Sequence, residues 1–167
     1  TDVEKVLNYG ADKVAVNTAA VKDSNLITEI ANRYGSSNVV VSIEAKKLKD
    51  SMWEVYINNG RDKTGKDVID WIQEVEKKGA GEILLTSVDR EGTRLGFEIE
   101  LYQKISSKCS IPIIASGGMG KLEDIINIVK NTEIDGVAIA DMIHYERYSF
   151  NEIKKYAFQN FLNIRYE

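Results

Sequence analysis

Five short apolar blocks recur along the chain, and each is followed by a loop and a segment of helical period. The blocks are rich in Val, Ile and Leu without clean alternation of apolar and polar residues, which is typical of strands buried on both faces. Repetition of this order predicts parallel βα units and an α/β fold. The predicted strands are residues 13–16, 39–43, 82–88, 111–115 and 135–140.

Between these blocks, apolar residues recur at spacings of three and four, which is the period of an amphipathic helix. The clearest case follows Asp67 and ends at Gly79, where a glycine in a left-handed conformation would cap the helix. Residues 52–57 predict one further strand, turned by Asn59-Gly60, that pairs locally above the sheet. The predicted helices are residues 24–35, 67–79, 98–106, 121–130 and 151–160.

Two joints between a helix and a strand resemble each other, namely Tyr-Gly-Ala-Asp-Lys-Val at residues 9–14 and Lys-Gly-Ala-Gly-Glu-Ile at residues 78–83. The likeness fits an internal duplication of half a barrel, and it fits equally well the frequent use of Gly-Ala as a cap. No Pro- or Ser-rich linker and no step in composition divides the chain. We therefore expect a single domain over residues 1–167.

Charge and composition exclude several classes of protein. The chain has 22 Lys plus Arg and 26 Asp plus Glu, so its net charge is -4. It therefore lacks the broad basic surface that is typical of a nucleic-acid-binding protein. No apolar run reaches the roughly 20 residues of a membrane span. With one cysteine, Cys109, and one histidine, His144, the chain cannot form an internal disulfide or a Cys/His zinc cluster.

These counts also set expectations about location and about His144. A single cysteine indicates a reducing compartment, and we expect a cytoplasmic location. His144 lies in a Met-Ile-His-Tyr run, where we expect a packed, structural histidine rather than a member of a catalytic triad. The chain begins with Thr1 and shows no secretory pattern, so we interpret it as processed or incomplete.

In a parallel βα fold the functional residues collect at the carboxyl ends of the strands, where the βα loops meet. One such loop reads Ser-Gly-Gly-Met-Gly at residues 116–120 and opens a helix, so its amides are free for an anion at the positive end of that helix. Glycine is also common in such turns for steric reasons alone. The loop at residues 89–93 adds Gly92 as a further amide donor, although by itself its charge run is typical of a solvated turn.

Glu44 follows directly after the apolar run at residues 39–43. A carboxylate in that position is costly unless it is paired or functional, and burial raises its affinity for protons, which suits general acid or base catalysis. Lys46 or Lys47 could instead neutralise it in a structural pair. Position alone leaves both interpretations open.

Four segments together resemble the cyclase subunit of the imidazole glycerol phosphate synthase family of histidine biosynthesis. The resemblance runs nearly end to end. It implies a (β/α)8 TIM barrel of which this chain holds about the last five βα units, since a full barrel needs about 250 residues. A chain that lacks the first strands is expected to be inactive as it stands. The segments are residues 10–20 (GADKVAVNTAA), 39–46 (VVVSIEAK), 79–93 (GAGEILLTSVDREGT) and 111–118 (IPIIASGG).

Members of this family use ammonia, delivered by a glutaminase partner, to convert a bis-phosphorylated aminoimidazole carboxamide ribonucleotide, and the resemblance implies the same reaction here. The products are imidazole glycerol phosphate and the purine precursor AICAR, and no cofactor or metal is implied. Glu44 stands at the position of the family's second catalytic aspartate. The resemblance places Asn17 and Thr18 at one phosphate site and Gly92, Gly117, Gly118, Ala140 and Asp141 at the other, with Thr86 and Ser116 lining the pocket between them.

At the opposite end of the strands, Lys13 and Glu82 match the family's charged gate for ammonia, and Asp12 matches a position that faces the glutaminase. Two residues depart clearly from the family pattern, and Glu91 for Asp is a milder change. Glu44 replaces Asp, and a carboxyl displaced by about 1 Å can lower the rate about a hundredfold. Asp141 replaces a small hydroxyl residue, and its charge should repel a phosphate.

These departures leave two alternatives open. One is a paralogue that resembles the cyclase subunit but serves amidotransfer to a sugar in surface polysaccharide biosynthesis. The other is a non-catalytic half-barrel fragment, whose two unpaired sheet edges predict aggregation or pairing with a second copy.

Overall fold

The computed structural model describes residues 2–49 and 51–164, and a seven-stranded sheet forms its centre. The strand order is β4-β3-β2-β5-β6-β7, and β1 pairs with β2 on the side where β3 also pairs. The strands are β1 (Val14–Val16), β2 (Val39–Lys49), β3 (Met52–Ile57), β4 (Asp62–Asp67), β5 (Glu82–Ser87), β6 (Ile113–Ser116) and β7 (Gly136–Ala138).

Helices follow or separate the strands in chain order. Each of the five helices predicted from periodicity is confirmed, and three shorter helices are added. The helices are α1 (Asp2–Asn8), α2 (Thr18–Lys22), α3 (Asn25–Tyr34), α4 (Val68–Lys77), α5 (Ile99–Ser106), α6 (Glu123–Asn131), α7 (Asp141–His144) and α8 (Phe150–Gln159), with a 3-10 turn at Ser36–Asn38. Among the described residues, none of these helices is long and apolar enough to cross a bilayer.

The five strands predicted from the apolar blocks are β1, β2, β5, β6 and β7, and they pair in parallel. The predicted α/β class with a parallel sheet is therefore confirmed, and the arrangement is consistent with a TIM-like barrel. Within the described part of the chain, β1 and β7 each pair with a single neighbour, so they form the two edges of the parallel sheet.

The second half of β2 extends beyond the parallel sheet and pairs antiparallel with β3, which pairs in turn with β4. The predicted local pairing of residues 52–57 is confirmed. Asn58, Asn59 and Gly60 form the turn, and all three have positive φ, at 55°, 60° and 69°. Strand β4 was not predicted because its sequence, Asp-Lys-Thr-Gly-Lys-Asp, has no apolar residue; only pairing with β3 makes it a strand.

The core lies between the sheet and the helices on one of its faces. Val41, Ile43, Ile83 and Leu85 are fully buried and alternate along β2 and β5 with less buried neighbours. Because successive side chains of a strand point to opposite faces, the alternate residues of β2 and β5 point to the other face of the sheet. That other face carries the candidate site.

The joints at Gly10 and Gly79 have the same geometry, with φ values of +100° and +99°. At each joint the glycine amide donates to a carbonyl three residues earlier, and the next amide donates to a carbonyl five residues earlier. This is the hydrogen-bond pattern of a glycine-capped helix end. Lys13 and Glu82 come three residues after their respective glycines, and their side chains form an ion pair.

Candidate functional site

One row of side chains crosses the carboxyl ends of the parallel strands. The strand register pairs Glu44 with Thr86, Thr86 with Ser116, and Ser116 with Ala138. Paired positions on parallel strands point to the same face, and neighbouring strands lie about 4.8 Å apart, so Glu44 and Ser116 are about 10 Å apart across the sheet. The sequence predicted three of these residues from separate loops, and the register places them in one line.

Glu44 is half-buried, and its Oε2 accepts a hydrogen bond of 3.0 Å from the Gly60 amide in the turn between β3 and β4. A Cβ atom at position 60 would lie 2.9 Å from Val88 Cγ1, so glycine allows the turn to pack this closely against Val88. Neither of the lysines considered as partners forms an ion pair with Glu44 in the described part of the chain. Lys47 Nζ donates to Glu100, and Lys46 Nζ lies 5.2 Å from the centre of the Tyr56 ring.

Asn17 and Thr18 lie at the end of β1, beside the same turn. Thr18 Oγ1 accepts a hydrogen bond of 3.2 Å from the Asn58 amide, so the β3–β4 turn contacts both Thr18 and Glu44. The side-chain oxygen of Asn17 is buried and has no hydrogen-bond partner among the described residues. A buried polar atom without a partner is costly, and it marks a place where a ligand can supply the missing bond.

A cavity of about 260 Å³ lies between the loops that follow β5, β6 and β7. Six residues that the sequence predicted as ligand-binding line this one space, although they come from three separate loops. Their role in binding stays a prediction. The lining consists of Glu91, Gly92, Ser116, Gly117, Gly118, Met119, Ala138, Ile139, Ala140, Asp141 and Met142.

Gly118 of this cavity, and Gly120 beside it in the chain, are required by the close contact of two loops. A Cβ at Gly118 would lie 2.3 Å from the Gly96 carbonyl oxygen, and one at Gly120 would lie 2.1 Å from the Arg94 carbonyl oxygen. The Gly96 amide donates to the Gly118 carbonyl at 2.8 Å. The steric interpretation is therefore correct for Gly118 and Gly120, whereas a Cβ at Gly92 would have nothing within 4 Å.

The glycine run leads from β6 to helix α6, as predicted, with Lys121 and Leu122 between the run and the helix. Helix α6 begins at Glu123, and Asp124 Oδ2 accepts hydrogen bonds from the amides of Gly120 at 2.8 Å and Lys121 at 2.9 Å. The protein's own carboxylate thus occupies the position at the start of the helix where an external anion was expected. The amides of Gly92 and Gly118 have no acceptor among the described residues, and both glycines line the cavity.

Asp141, expected to repel a phosphate, is held in a bidentate ion pair. Arg94 Nε lies 2.7 Å from Oδ1, Arg94 Nη2 lies 3.2 Å from Oδ2, and Arg147 Nε lies 4.0 Å from Oδ1. The hydrogen bond to Arg94 is the main reason that the pKa of Asp141 is lowered from its ordinary value. The sequence contained no signal for this pair, because 47 residues separate its members.

Ser116 is held in place by a buried tyrosine, Tyr102, which nothing in the sequence pattern indicated. The Tyr102 hydroxyl accepts a hydrogen bond of 3.0 Å from the Ser116 amide and lies 2.8 Å from the Leu85 carbonyl oxygen. Tyr102 is fully buried, and this burial raises the pKa of its hydroxyl. In the sequence it belongs to the apolar stripe of α5, so nothing local distinguished it from an ordinary core residue.

The amino ends of the strands carry a second set of predicted residues. Lys13 and Glu82 form an ion pair there, and the side chain of Asn38 donates to the backbone carbonyl of Asp12 at 2.6 Å. Asp12 is exposed. The structure thus brings Lys13 and Glu82 together, while their role as a gate stays a prediction.

The single histidine and the single cysteine of the chain are both placed by the structure. His144 is exposed on α7, with its ring edge-on to Tyr145 at 4.9 Å, so the expectation of a packed histidine is wrong. Met142, two residues earlier on the four-residue helix α7, is fully buried, so the helix packs through Met142 and leaves His144 outside. Cys109 is half-buried, and burial raises the pKa of its thiol, which makes it a poor nucleophile at neutral pH.

A parallel βα sheet with polar and glycine residues gathered at the carboxyl ends of its strands defines an α/β protein and is consistent with a TIM-like barrel. Comparison with known proteins narrows this class to one family. A family profile described as "Histidine biosynthesis protein" matches residues 1–149. The chain belongs to this family.

Two curated relatives have the same name, Imidazole glycerol phosphate synthase subunit HisF. The chain is 61% identical over 123 residues to the protein of Legionella pneumophila, a match that covers 74% of this chain and 58% of the relative. It is 44% identical over 164 residues to the protein of Hydrogenobaculum sp. (strain Y04AAS1), a match that covers 98% of this chain and 65% of the relative. The chain therefore spans less than two thirds of the length of these two relatives.

Proposed function

We propose that the chain is part of the cyclase subunit of an imidazole glycerol phosphate synthase, a lyase. With ammonia from a glutaminase subunit, it would convert a bis-phosphorylated aminoimidazole carboxamide ribonucleotide into imidazole glycerol phosphate and AICAR. One observation carries the proposal. In a chain of the histidine-biosynthesis family, the register aligns Glu44, Thr86 and Ser116 in a row that leads into the glycine-lined cavity.

In this proposal Glu44 acts as a general acid or base, because it is the carboxylate in the row. The hydrogen bond from the Gly60 amide holds its Oε2 while Oε1 remains available to a substrate. Asn17 and Thr18 bind one phosphate at the end of β1, and the glycine-lined cavity binds the other. From β1 to β6 the sheet spans three strand spacings, about 14 Å, so an elongated substrate with a phosphate at each end fits this arrangement.

The ammonia path and the glutaminase docking surface are proposed to lie at the amino ends of the strands. Glu82 and Thr86 are four residues apart on β5 and point to the same face, with the gate pair about 13 Å from the row. Ammonia would enter at Lys13 and Glu82, at the amino ends of the strands, and follow this face to Glu44. The glutaminase would dock at the same end, where Asp12 is exposed.

We propose further that residues 1–167 are one partial domain whose parallel strands are the last five of an eight-stranded barrel. The two open edges at β1 and β7, together with relatives of greater length, support this. The alternative of a non-catalytic half-barrel predicts that the chain aggregates or pairs through those edges. Sedimentation of the chain as a well-behaved monomer would contradict that alternative.

The test is a fusion of this chain to the amino-terminal third of the Hydrogenobaculum relative, which supplies the strands preceding β1. AICAR formation is measured from the ribonucleotide with ammonium, and separately with a glutaminase subunit and glutamine. We expect turnover in both cases and a loss of about a hundredfold or more in E44Q, with substrate binding retained. A folded fusion protein that binds the ribonucleotide without turnover under either supply would refute the proposal.

One observation favours the sugar-modifying paralogue as a second candidate. Asp141, which replaces a small hydroxyl residue in the family pattern, is among the residues that line the cavity, and a carboxylate is an unusual neighbour for a phosphate. Tight binding of the bis-phosphorylated ribonucleotide, lost when either phosphate is removed, would exclude this second candidate.

A further inference from the structure

We propose that Arg94 is a charge-compensating residue of the glycine-lined cavity, which neutralises Asp141 and so allows a carboxylate-bearing wall to accept a phosphate group. The inference deepens the proposed function and rests on it, because it concerns the cavity assigned there to a phosphate. It adds a residue that lies outside the cavity lining and that the sequence did not mark.

The geometry of the pair leaves Asp141 little freedom. The guanidinium of Arg94 donates to both carboxylate oxygens, at 2.7 Å and 3.2 Å, which is the bidentate arrangement that orients a carboxylate most strongly. The guanidinium carbon also lies 5.4 Å from the centre of the Tyr145 ring. The backbone of Arg94 lies close against Gly120, where an added Cβ would be 2.1 Å from the Arg94 carbonyl oxygen.

The charges around the cavity explain why compensation is needed. Glu91 and Asp141 line the cavity, and neither a lysine nor an arginine is among its described lining residues. A phosphate dianion in the cavity would therefore have two acidic residues as neighbours, and like charges within about 5 Å of each other repel substantially near a protein surface. Pairing with Arg94 turns Asp141 into a neutral unit, and Arg147 at 4.0 Å adds a further positive charge.

The same geometry separates compensation from direct binding. Arg94 Nε and one Nη2 hydrogen already point to Asp141, and the side chains of Arg94 and Asp141 are 37% and 22% exposed. In this arrangement Arg94 acts on the ligand through Asp141. Removal of the arginine should therefore matter only while the carboxylate is present.

The experiment measures the dissociation constant of inorganic phosphate by calorimetry for the wild-type chain, R94Q, D141S and the double variant R94Q/D141S. We expect R94Q to weaken binding about tenfold, because it leaves Asp141 uncompensated. We expect the double variant to bind within about threefold of D141S. R33Q is the matched control, since Arg33 pairs with Glu4 at 3.1 Å, away from the cavity, and its dissociation constant should equal that of the wild type.

A second readout uses the fusion protein described above. If Arg94 compensates Asp141, R94Q raises the KM for the ribonucleotide and leaves kcat within about threefold, and D141S restores KM in the double variant. Circular dichroism verifies the fold of every variant. If R94Q alone fails to fold, the double variant keeps the inference falsifiable, because weaker phosphate binding there than in D141S would show that Arg94 binds the ligand directly.

Three results would overturn the inference. Unchanged phosphate binding in R94Q would show that the pair does not control the cavity, and the proposed function would survive. A double variant as weak as R94Q would show that Arg94 binds the phosphate directly. Absence of phosphate binding in all folded variants, including the wild type, would instead remove the phosphate site itself and with it that part of the proposed function.

Discussion

The two ends of the candidate site, one at β6 and β7 and one at β1, are built differently. At the end formed by β6 and β7, three loops surround the cavity, and Gly118 and Gly120 are in such close contact with a neighbouring loop that no side chain fits. At the β1 end, Thr18 begins the short helix after the edge strand and is joined to the β3–β4 turn by one hydrogen bond of 3.2 Å. The first end is preorganised by packing, whereas the second depends on the position of a hairpin. Substitutions should therefore damage the glycine end more than the β1 end.

The largest effect on stability is expected from G118A. Its Cβ would lie 2.3 Å from the Gly96 carbonyl oxygen, and its φ is +106°, so both packing and backbone are strained. We expect a loss of about 3 kcal/mol or more in the free energy of unfolding, measured by urea denaturation. G92A is the control, because it also has positive φ, at +70°, but nothing lies within 4 Å of its Cβ. Equal losses in both variants would show that the loops are not interlocked.

A smaller effect is expected from Y102F. It removes the hydroxyl that accepts from the Ser116 amide at 3.0 Å, and leaves that amide without its partner. A loss of about 1–3 kcal/mol is typical of such a deletion, and the denaturation midpoint should fall accordingly. In the control Y156F the hydroxyl bond is exposed and measures 3.3 Å, so the midpoint should hardly move. A neutral Y102F would mean that β5 and β6 position Ser116 without the tyrosine.

At the β1 end we expect T18A to cost less, about 1 kcal/mol or below, since a single exposed hydrogen bond is lost. The informative measurement is amide hydrogen exchange. The Asn58 amide should exchange faster in T18A, while the Gly60 amide, bound to Glu44, should keep its protection. If the Gly60 amide also loses protection, the whole turn depends on Thr18, and the two contacts act as one.

The smallest effect concerns pH. The pKa of Asp141 is lowered in the folded protein, so the carboxylate adds stability that is fully present above its unfolded pKa, near the ordinary value of 3.8. That stability is lost as the pH falls through the lowered folded pKa. Thermal denaturation between pH 5 and pH 2 should therefore show a shallower acid dependence in D141N than in the wild type. Parallel profiles would indicate that Arg94 does not hold the carboxylate in solution.

Much of the fold could be predicted because the signals were local. The apolar blocks marked β1, β2, β5, β6 and β7, and the spacing of apolar residues marked five helices. Strand β4 could not be predicted, since its residues are all polar or glycine and its pairing with β3 alone defines it. Helices α2 and α7, at five and four residues, are too short to show a period.

The candidate site was only partly predictable for the same reason. Glu44, Thr86 and Ser116 were recognisable because each follows an apolar strand, where parallel folds place their functional groups. Their support was not recognisable. The Gly60 amide on Glu44, the Tyr102 hydroxyl on Ser116 and the Arg94 guanidinium on Asp141 each join residues far apart in the chain.

The sequence by itself determined the α/β class, the order of the parallel strands along the chain and the family, because periodicity and motifs are properties of neighbouring residues. Only the tertiary structure decided the charge of the cavity wall. Asp141 is one more acidic residue in the sequence, and it becomes part of a neutral pair only because loops after β5 and β7 bring Arg94 within hydrogen-bonding distance. Electrostatic energy depends on the distance between charges in space, and spacing along the chain does not specify that distance.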